Sequence, residues 1–116
     1  MGVITLNEEK VAEIDQSIAV EGVDRWFAEQ VSAGFDTGMG FTLGLAESDV
    51  ALLTGNYVLA KEADALGSDI PPVIDVSGAP HSLNLEELTT VMLAYGSHRA
   101  SLSQEYSTRK AAAIGG

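Results

Sequence analysis

Residues 84–87 read Asn-Leu-Glu-Glu, and no proline occurs from there to Gly116. Asn at a cap position with Glu three residues on is the capping-box pattern, in which the side chain and backbone of each satisfy the other at a helix start. The strongest element of the chain therefore begins at Leu85. Positions 85, 88, 92, 95, 99, 102, 106, 109 and 113 recur at spacings of three and four, and they read Leu, Leu, Met, Tyr, Arg, Leu, Tyr, Arg and Ala. That periodicity predicts one helix to about residue 113, roughly 45 Å long at 1.5 Å per residue. Gly96 interrupts it at a cost of about 1 kcal/mol relative to Ala. Arg109 and Lys110 suit the negative end of the dipole. Whatever else the chain forms must pack against this rod.

The preceding segments are shorter. Asn7 is the expected cap of a first helix, with Glu8 and Glu9 in its first turn and Val11, Ile14 and Ile18 on one face. Residues 20–23 read as a break or kink. A second amphipathic stretch carries Val23, Trp26, Phe27, Gln30 and Val31, and Ala33-Gly34 stops it. Four glycines within residues 34–44, with Phe35, Met39, Phe41 and Leu43 near alternation, predict a turn into a short strand at 40–45. Ser48 or Asp49 is the expected cap of a helix to about residue 66, whose inner face holds Val50, Leu53, Tyr57 and Ala60, widened by Val58 and Leu59. Gly67 ends it, and Pro71-Pro72 makes an elbow that cannot be helical. A strand at 73–76, a turn at 77–80 and a return strand at 81–83 complete the reading. The expected fold is α-dominant α+β: two to three helices, a small β-hairpin and a long C-terminal helix. A chain of 116 residues fits one domain, with residues 1–40 as a helical segment joined to it.

Six Lys plus Arg stand against seventeen Asp plus Glu, a net charge of −11. Such a surface repels phosphate backbones, so no direct nucleic-acid binding is expected. It suits basic partners, or a protein that mimics the charge of DNA. The absence of cysteine excludes disulfides, zinc–thiolate sites and thiol nucleophiles. No stretch approaches the roughly 18 apolar residues of a membrane span, and residues 1–10 lack the basic and apolar regions of a signal peptide. The expectation is a soluble domain made in the cytoplasm, with no membrane partner.

Motifs that carry chemistry are few. Asp36-Thr37-Gly38 spells the catalytic triplet of aspartic proteases, which a chain this short would complete by homodimerisation. That chemistry needs a carboxylate at the end of a buried apolar strand in a nearly all-β fold. Val31-Ser32-Ala33-Gly34-Phe35 is poor strand material, so Asp36 and Thr37 are expected to bond local backbone in a glycine turn. Gly38, Gly40 and Gly44 lack the Lys-Ser or Lys-Thr of a phosphate loop. His81 and His98 form no metal-ligand pair and face no nucleophile in sequence; His81 is expected to pack across its hairpin turn. Asp64, Asp69 and Asp75 lack calcium-loop spacing and read as solvated charge. No catalytic residue, cofactor or metal is assigned. Trp26, Phe27, Tyr95 and Tyr106 sit at helical spacing and read as core. Leu85, Leu88, Met92, Tyr95, Leu102 and Tyr106 form a long apolar seam, expected to bury against a partner or a second copy of the chain.

From Phe41 onward the order of features resembles a bacteriophage domain family of unknown function found in or near tail and tail-fibre proteins. A short strand (residues 41–45) leads through an acidic cap into a helix with a Leu53-Thr54-Gly55 pattern. An Ala65-Leu66-Gly67 exit and a proline elbow follow. Next comes a hairpin of the form Val-x-Asp-x-x-Gly-x-x-His-x-Leu, carried by Asp75, Gly78, His81 and Leu83. The closing helix passes through Tyr95-Gly96 to an alanine-rich stretch. The resemblance covers residues 41–113. It implies a non-enzymatic virion structural or assembly protein of a tail, fibre, neck or decoration layer, made in the host cytoplasm and located in the virion. Its partners would be other virion proteins or further copies of itself. A small acidic regulator or DNA mimic is the alternative, and the homodimeric protease through Asp36 stands third.

Overall fold

The computed structural model describes residues 2–115, with side chains from Glu13 onward. Three helices and two pairs of very short strands follow one another as α1 (Gly2–Ala33), β1 (Phe35–Asp36), β2 (Thr42–Leu43), α2 (Glu47–Ala65), β3 (Val73–Ile74), β4 (Pro80–His81) and α3 (Leu85–Gly115). The fold is the α-dominant α+β arrangement that the periodicity predicts, long closing helix included.

Two compact units divide the chain: Met1–Glu29 with Ser101–Gly116, and Gln30–Ala100. Residues 30–40 thus belong with residues 41–100, and residue 40 bounds neither unit.

In the first unit, α1 is one continuous helix through residues 20–23, where a break or a kink was expected. Gly22 continues the helix, and Asn7 lies inside it instead of capping it; the side chains of Asn7 and Val11 lie outside the described residues. Aromatic and cationic side chains hold this unit. The Phe27 and Tyr106 rings meet at 4.6 Å between centroids. The Tyr106 hydroxyl donates to Asp24 Oδ1 at 2.5 Å and accepts from Lys110 Nζ at 3.0 Å. The Arg109 guanidinium lies 4.0 Å from the Trp26 ring centroid, a cation–π contact, and also donates twice to Glu105 Oε1. Gln16 Nε2 donates to the Ile114 carbonyl. Because α3 continues to Gly115, Arg109 and Lys110 stand before its last turn, which holds no basic residue. Their charges serve Trp26, Glu105 and Tyr106 more than the dipole.

The second unit is built around residues 41–45. Phe41, Leu43 and Leu45 are buried while Thr42 and Gly44 are half-exposed, the alternation of an extended segment. Hydrogen-bonded strand covers only two of these residues, not the whole of 40–45. β1 pairs antiparallel with β2, Phe35 opposite Leu43 and Asp36 opposite Thr42. Of the segment read as poor strand material, residues 31–33 are helix and only Phe35 enters a strand; α1 ends at Ala33, and Gly34 (φ +76°) turns the chain back along β2. A Cβ at Gly34 would lie 2.8 Å from the Leu43 carbonyl oxygen, so the close approach needs glycine. The second hairpin pairs Val73 with His81 and Ile74 with Pro80. Its return strand therefore starts one residue earlier than expected and stops at His81. The Val76 amide donates to the Thr42 carbonyl at 3.0 Å and ties the two hairpins together.

α2 starts after Ala46, not after Ser48 or Asp49. Asp49 works from inside the first turn, where its carboxylate accepts the Ala46 amide at 3.2 Å. The helix closes with a Schellman turn: Gly67 is left-handed (φ +70°) and the Ser68 amide donates to the Ala63 carbonyl at 2.8 Å. Leu53 and Ala60 face inward as expected. Val58 and Leu59, expected to widen that inner face, point to solvent instead. At α3 the capping box forms in full: the Glu87 amide donates to Asn84 Oδ1 at 2.8 Å, and the Asn84 amide to Glu87 Oε1 at 3.0 Å. The helix passes through Gly96 unbroken. Leu88, Val91 and Tyr95 bring it into the core with Val73, Leu53 and the 41–45 segment.

Candidate functional site

The densest polar cluster lies on the β3–β4 hairpin. Asp75 follows β3, and the turn at 77–79 folds back over its side chain. Its Oδ1 accepts the Ser77 amide at 2.8 Å, the Ser77 hydroxyl at 2.5 Å and the Ala79 amide at 3.0 Å. Its Oδ2 lies 2.7 Å from His81 Nε2. Asp75 is half-buried, its side chain only 9% exposed, so it is a clasp and not the solvated charge read from spacing. The Ser77 hydroxyl, and then His81, hold its carboxyl well below the usual carboxylate range, with the Ala79 and Ser77 amides adding to this against the opposing effect of burial. On the other side of the hairpin, the His81 ring stacks on Phe41 at 3.8 Å and 10°. His81 thus packs across its hairpin as expected, joining a saturated carboxylate to the apolar core.

Chemically, this cluster orders a turn. Serine and histidine both spend themselves on the same carboxylate, whereas a nucleophilic relay needs the hydroxyl bonded to the imidazole. His98 packs its ring at 5.4 Å against Phe35, which also meets Tyr95 edge-on at 5.7 Å. Among the described residues, no group of three or more His, Asp or Glu side chains could hold a metal ion. In the Asp-Thr-Gly triplet, Asp36 Oδ1 accepts the Gly38 amide at 2.9 Å. The Thr37 hydroxyl donates to the Phe41 carbonyl at 2.8 Å and accepts the Met39 amide at 3.2 Å. Asp36 itself is exposed, and both side chains bond local backbone in a glycine turn.

The seam expected to meet a partner is divided. Leu88, Tyr95 and Leu102 are buried within the chain, so their area is already removed from water and cannot form a docking face. Leu85, Met92 and Tyr106 are half-buried, Tyr106 against Phe27. Half of the α3 residues read as an interaction surface are the protein's own core.

Exposed apolar side chains gather elsewhere. On α2 and at its C-cap, Leu52, Val58, Leu59 and Leu66 are 60%, 56%, 57% and 78% exposed. Beside them Leu52 and Ile74 line a cleft of about 30 Å³, room for one water, together with Asp49, Asn56 and Val73. The spacing of seven from Leu52 to Leu59 to Leu66 was visible in sequence. Its solvent orientation could be found by setting it against the inward positions Leu53 and Ala60. The Asp75 clasp carried a local signal, an Asp two residues before Ser77 at the expected turn of 77–80, which the reading as solvated charge passed over.

In comparisons with known proteins, no family model, no curated protein and no solved structure matches the chain.

Proposed function

We propose that this chain is a non-enzymatic structural or assembly protein of a bacteriophage virion, working through protein–protein contact. The contact mode rests on one observation: along α2 and its C-cap residue Leu66, three leucines and a valine are each more than half exposed. Isolated exposed leucines are ordinary, but a row of them along one helix is a feature of contact surfaces. The placement in a tail, fibre, neck or decoration layer rests on the resemblance of residues 41–113 to the tail-associated domain family. The acidic balance of −11 would steer such a surface toward basic partners and away from nucleic acid.

The test is whether the chain enters particles. Virions and assembly intermediates of the virus that encodes it are purified on a density gradient, and the chain is quantified by mass spectrometry against a known virion protein. A fixed copy ratio that persists through moderate salt supports the reading. Its absence from both particles and intermediates overturns it. In that case a monomer whose binding to a basic, nucleic-acid-binding protein collapses with salt would establish the acidic regulator instead.

A further inference from the structure

We propose that the outer side of α2 is a docking surface for a basic amphipathic helix of a partner protein. This rests on the contact reading above and names the surface and the chemistry of its occupant. At 100° per residue, Leu52, Leu59 and Leu66 form a ridge that drifts by only about 20° per heptad. Val58 stands on the other edge of the exposed side, and the exposed Ala51 and Gly55 lie between, leaving a shallow trough bounded by apolar edges. A helix seats into such a relief by its own row of apolar residues at i, i+3, i+4 and i+7.

Charge selects the occupant. Glu62 lies within the trough and Glu47 beside its start, both exposed. The single cation of α2, Lys61, is drawn toward Tyr57, its Nζ 5.4 Å from the ring centroid, on the edge away from the leucine ridge. The cleft beside Leu52 adds the Asp49 carboxylate. Apolar ridge and acidic margins together fit a helix with leucine-like residues on one stripe and Lys or Arg flanking it. A second copy of this chain fits poorly: it would bring the same acidic margins against themselves, and each copy carries a net −11.

The probe is a fluorescein-labelled synthetic peptide of about 21 residues, roughly three heptads, with leucine at a and d and lysine at e and g. Its control carries glutamate at e and g. Each is titrated by fluorescence anisotropy with the full chain and with a Leu52→Asn, Leu59→Asn double variant. That variant keeps the net charge and alters only exposed positions, and circular dichroism verifies its helices. The lysine peptide is expected to bind the native chain and to lose at least about tenfold in affinity for the double variant, since two leucine contacts are removed. Glu62→Lys is expected to weaken it as well, and the glutamate peptide to bind neither form.

Equal binding of the lysine peptide to native chain and double variant would mean attraction by charge alone and would overturn the proposal. So would equal binding of both peptides, or binding of neither. A dimer seen by light scattering for the native chain and lost in the double variant would overturn it in favour of a second copy. In any of these cases, recovery of the chain in particles would leave the contact reading standing; absence from particles would remove that reading whatever the peptides do.

Discussion

The hydroxyl of Tyr95 on α3 donates to the carbonyl oxygen of Gly44 at 2.6 Å, closing a separation of 51 residues. One turn further along α3, Arg99 Nε donates to the next carbonyl, that of Leu45, at 3.0 Å. β2 ends at Leu43, so neither carbonyl is part of a strand ladder. The long helix supplies what a third strand would otherwise supply, and this lets so short a β segment persist as the centre of a core. Burial raises the Tyr95 hydroxyl above its ordinary range and the Asp49 charge adds to it, with Arg99 opposing, so the group stays a donor at neutral pH.

Tyr95→Phe keeps the ring and its edge-on contact with Phe35 while removing that donor. The loss is expected to be about 1 kcal/mol, low in the range for an orphaned acceptor because Gly44 is half-exposed and water can reach it. Urea denaturation should show a lower midpoint with an unchanged slope. No change in midpoint would mean the bond contributes nothing to the clamp.

The α3 seam gives a second, sharper contrast. Leu88 is 1% exposed and Leu93 is 70% exposed, five residues apart on the same helix. Leu88→Ala is expected to cost about 2–5 kcal/mol, the lost transfer energy plus a cavity. Leu93→Ala should fall within about 0.5 kcal/mol of the native chain. Similar losses at both positions would mean that Leu93 is covered in solution.

Acid should act in part through Asp75. Its folded pKa lies below the ordinary value of 3.8, so from about that pH downward the unfolded chain takes up a proton that the folded chain refuses. Stability from this group is therefore fully present above about pH 4 and is lost as the pH falls from there. Melting temperatures measured from neutral pH to about pH 2 should trace this loss. Asp75→Asn should melt lower at neutral pH and show a shallower acid limb. An acid limb of unchanged steepness in the variant would assign the acid sensitivity to other carboxylates.

These contacts also explain how far the sequence could be read. Asn84 and Glu87 were legible as a capping box because both halves of the interaction lie within four residues. The same locality made Gly67 legible as a helix stop and Asp36 as a turn residue. Phe35–Asp36 was not legible as a strand, since two residues carry no alternation of their own and the pairing is supplied by Thr42–Leu43. Asp75 was misread although its donors are as local, Ser77, Ala79 and His81 standing two, four and six residues on, because only calcium-loop spacing was weighed for it. The apolar positions of α3 were found correctly, but periodicity reports which face is apolar and not what covers it. Leu88 and Tyr95 could equally have met a partner until Phe35, Leu45 and Val73 were seen to be near enough to form a shared core. Val58 and Leu59 failed in the opposite sense, counted as inner although Leu53 and Ala60 already fill that side of α2.

Gly96 offers the cleanest separation of propensity from packing. It lies within continuous α-helix, its backbone has no positive φ, and a Cβ built on it would meet nothing within 4 Å apart from the helix's own backbone. Replacement by alanine therefore adds no clash and leaves the hydrogen-bonded ladder intact. What changes is the unfolded chain, which loses the extra backbone freedom of glycine, so folding gives up less entropy. Gly96→Ala is expected to stabilise the protein by about 0.5–1 kcal/mol. Gly22 in α1 has the same open surroundings and should behave alike. Because Gly22 and Gly96 belong to different compact units, the two substitutions should add when combined. Urea midpoints of the two single variants and the double variant test this directly. A loss of stability at Gly96→Ala would mean that α3 bends there in solution and that the glycine is needed for the bend.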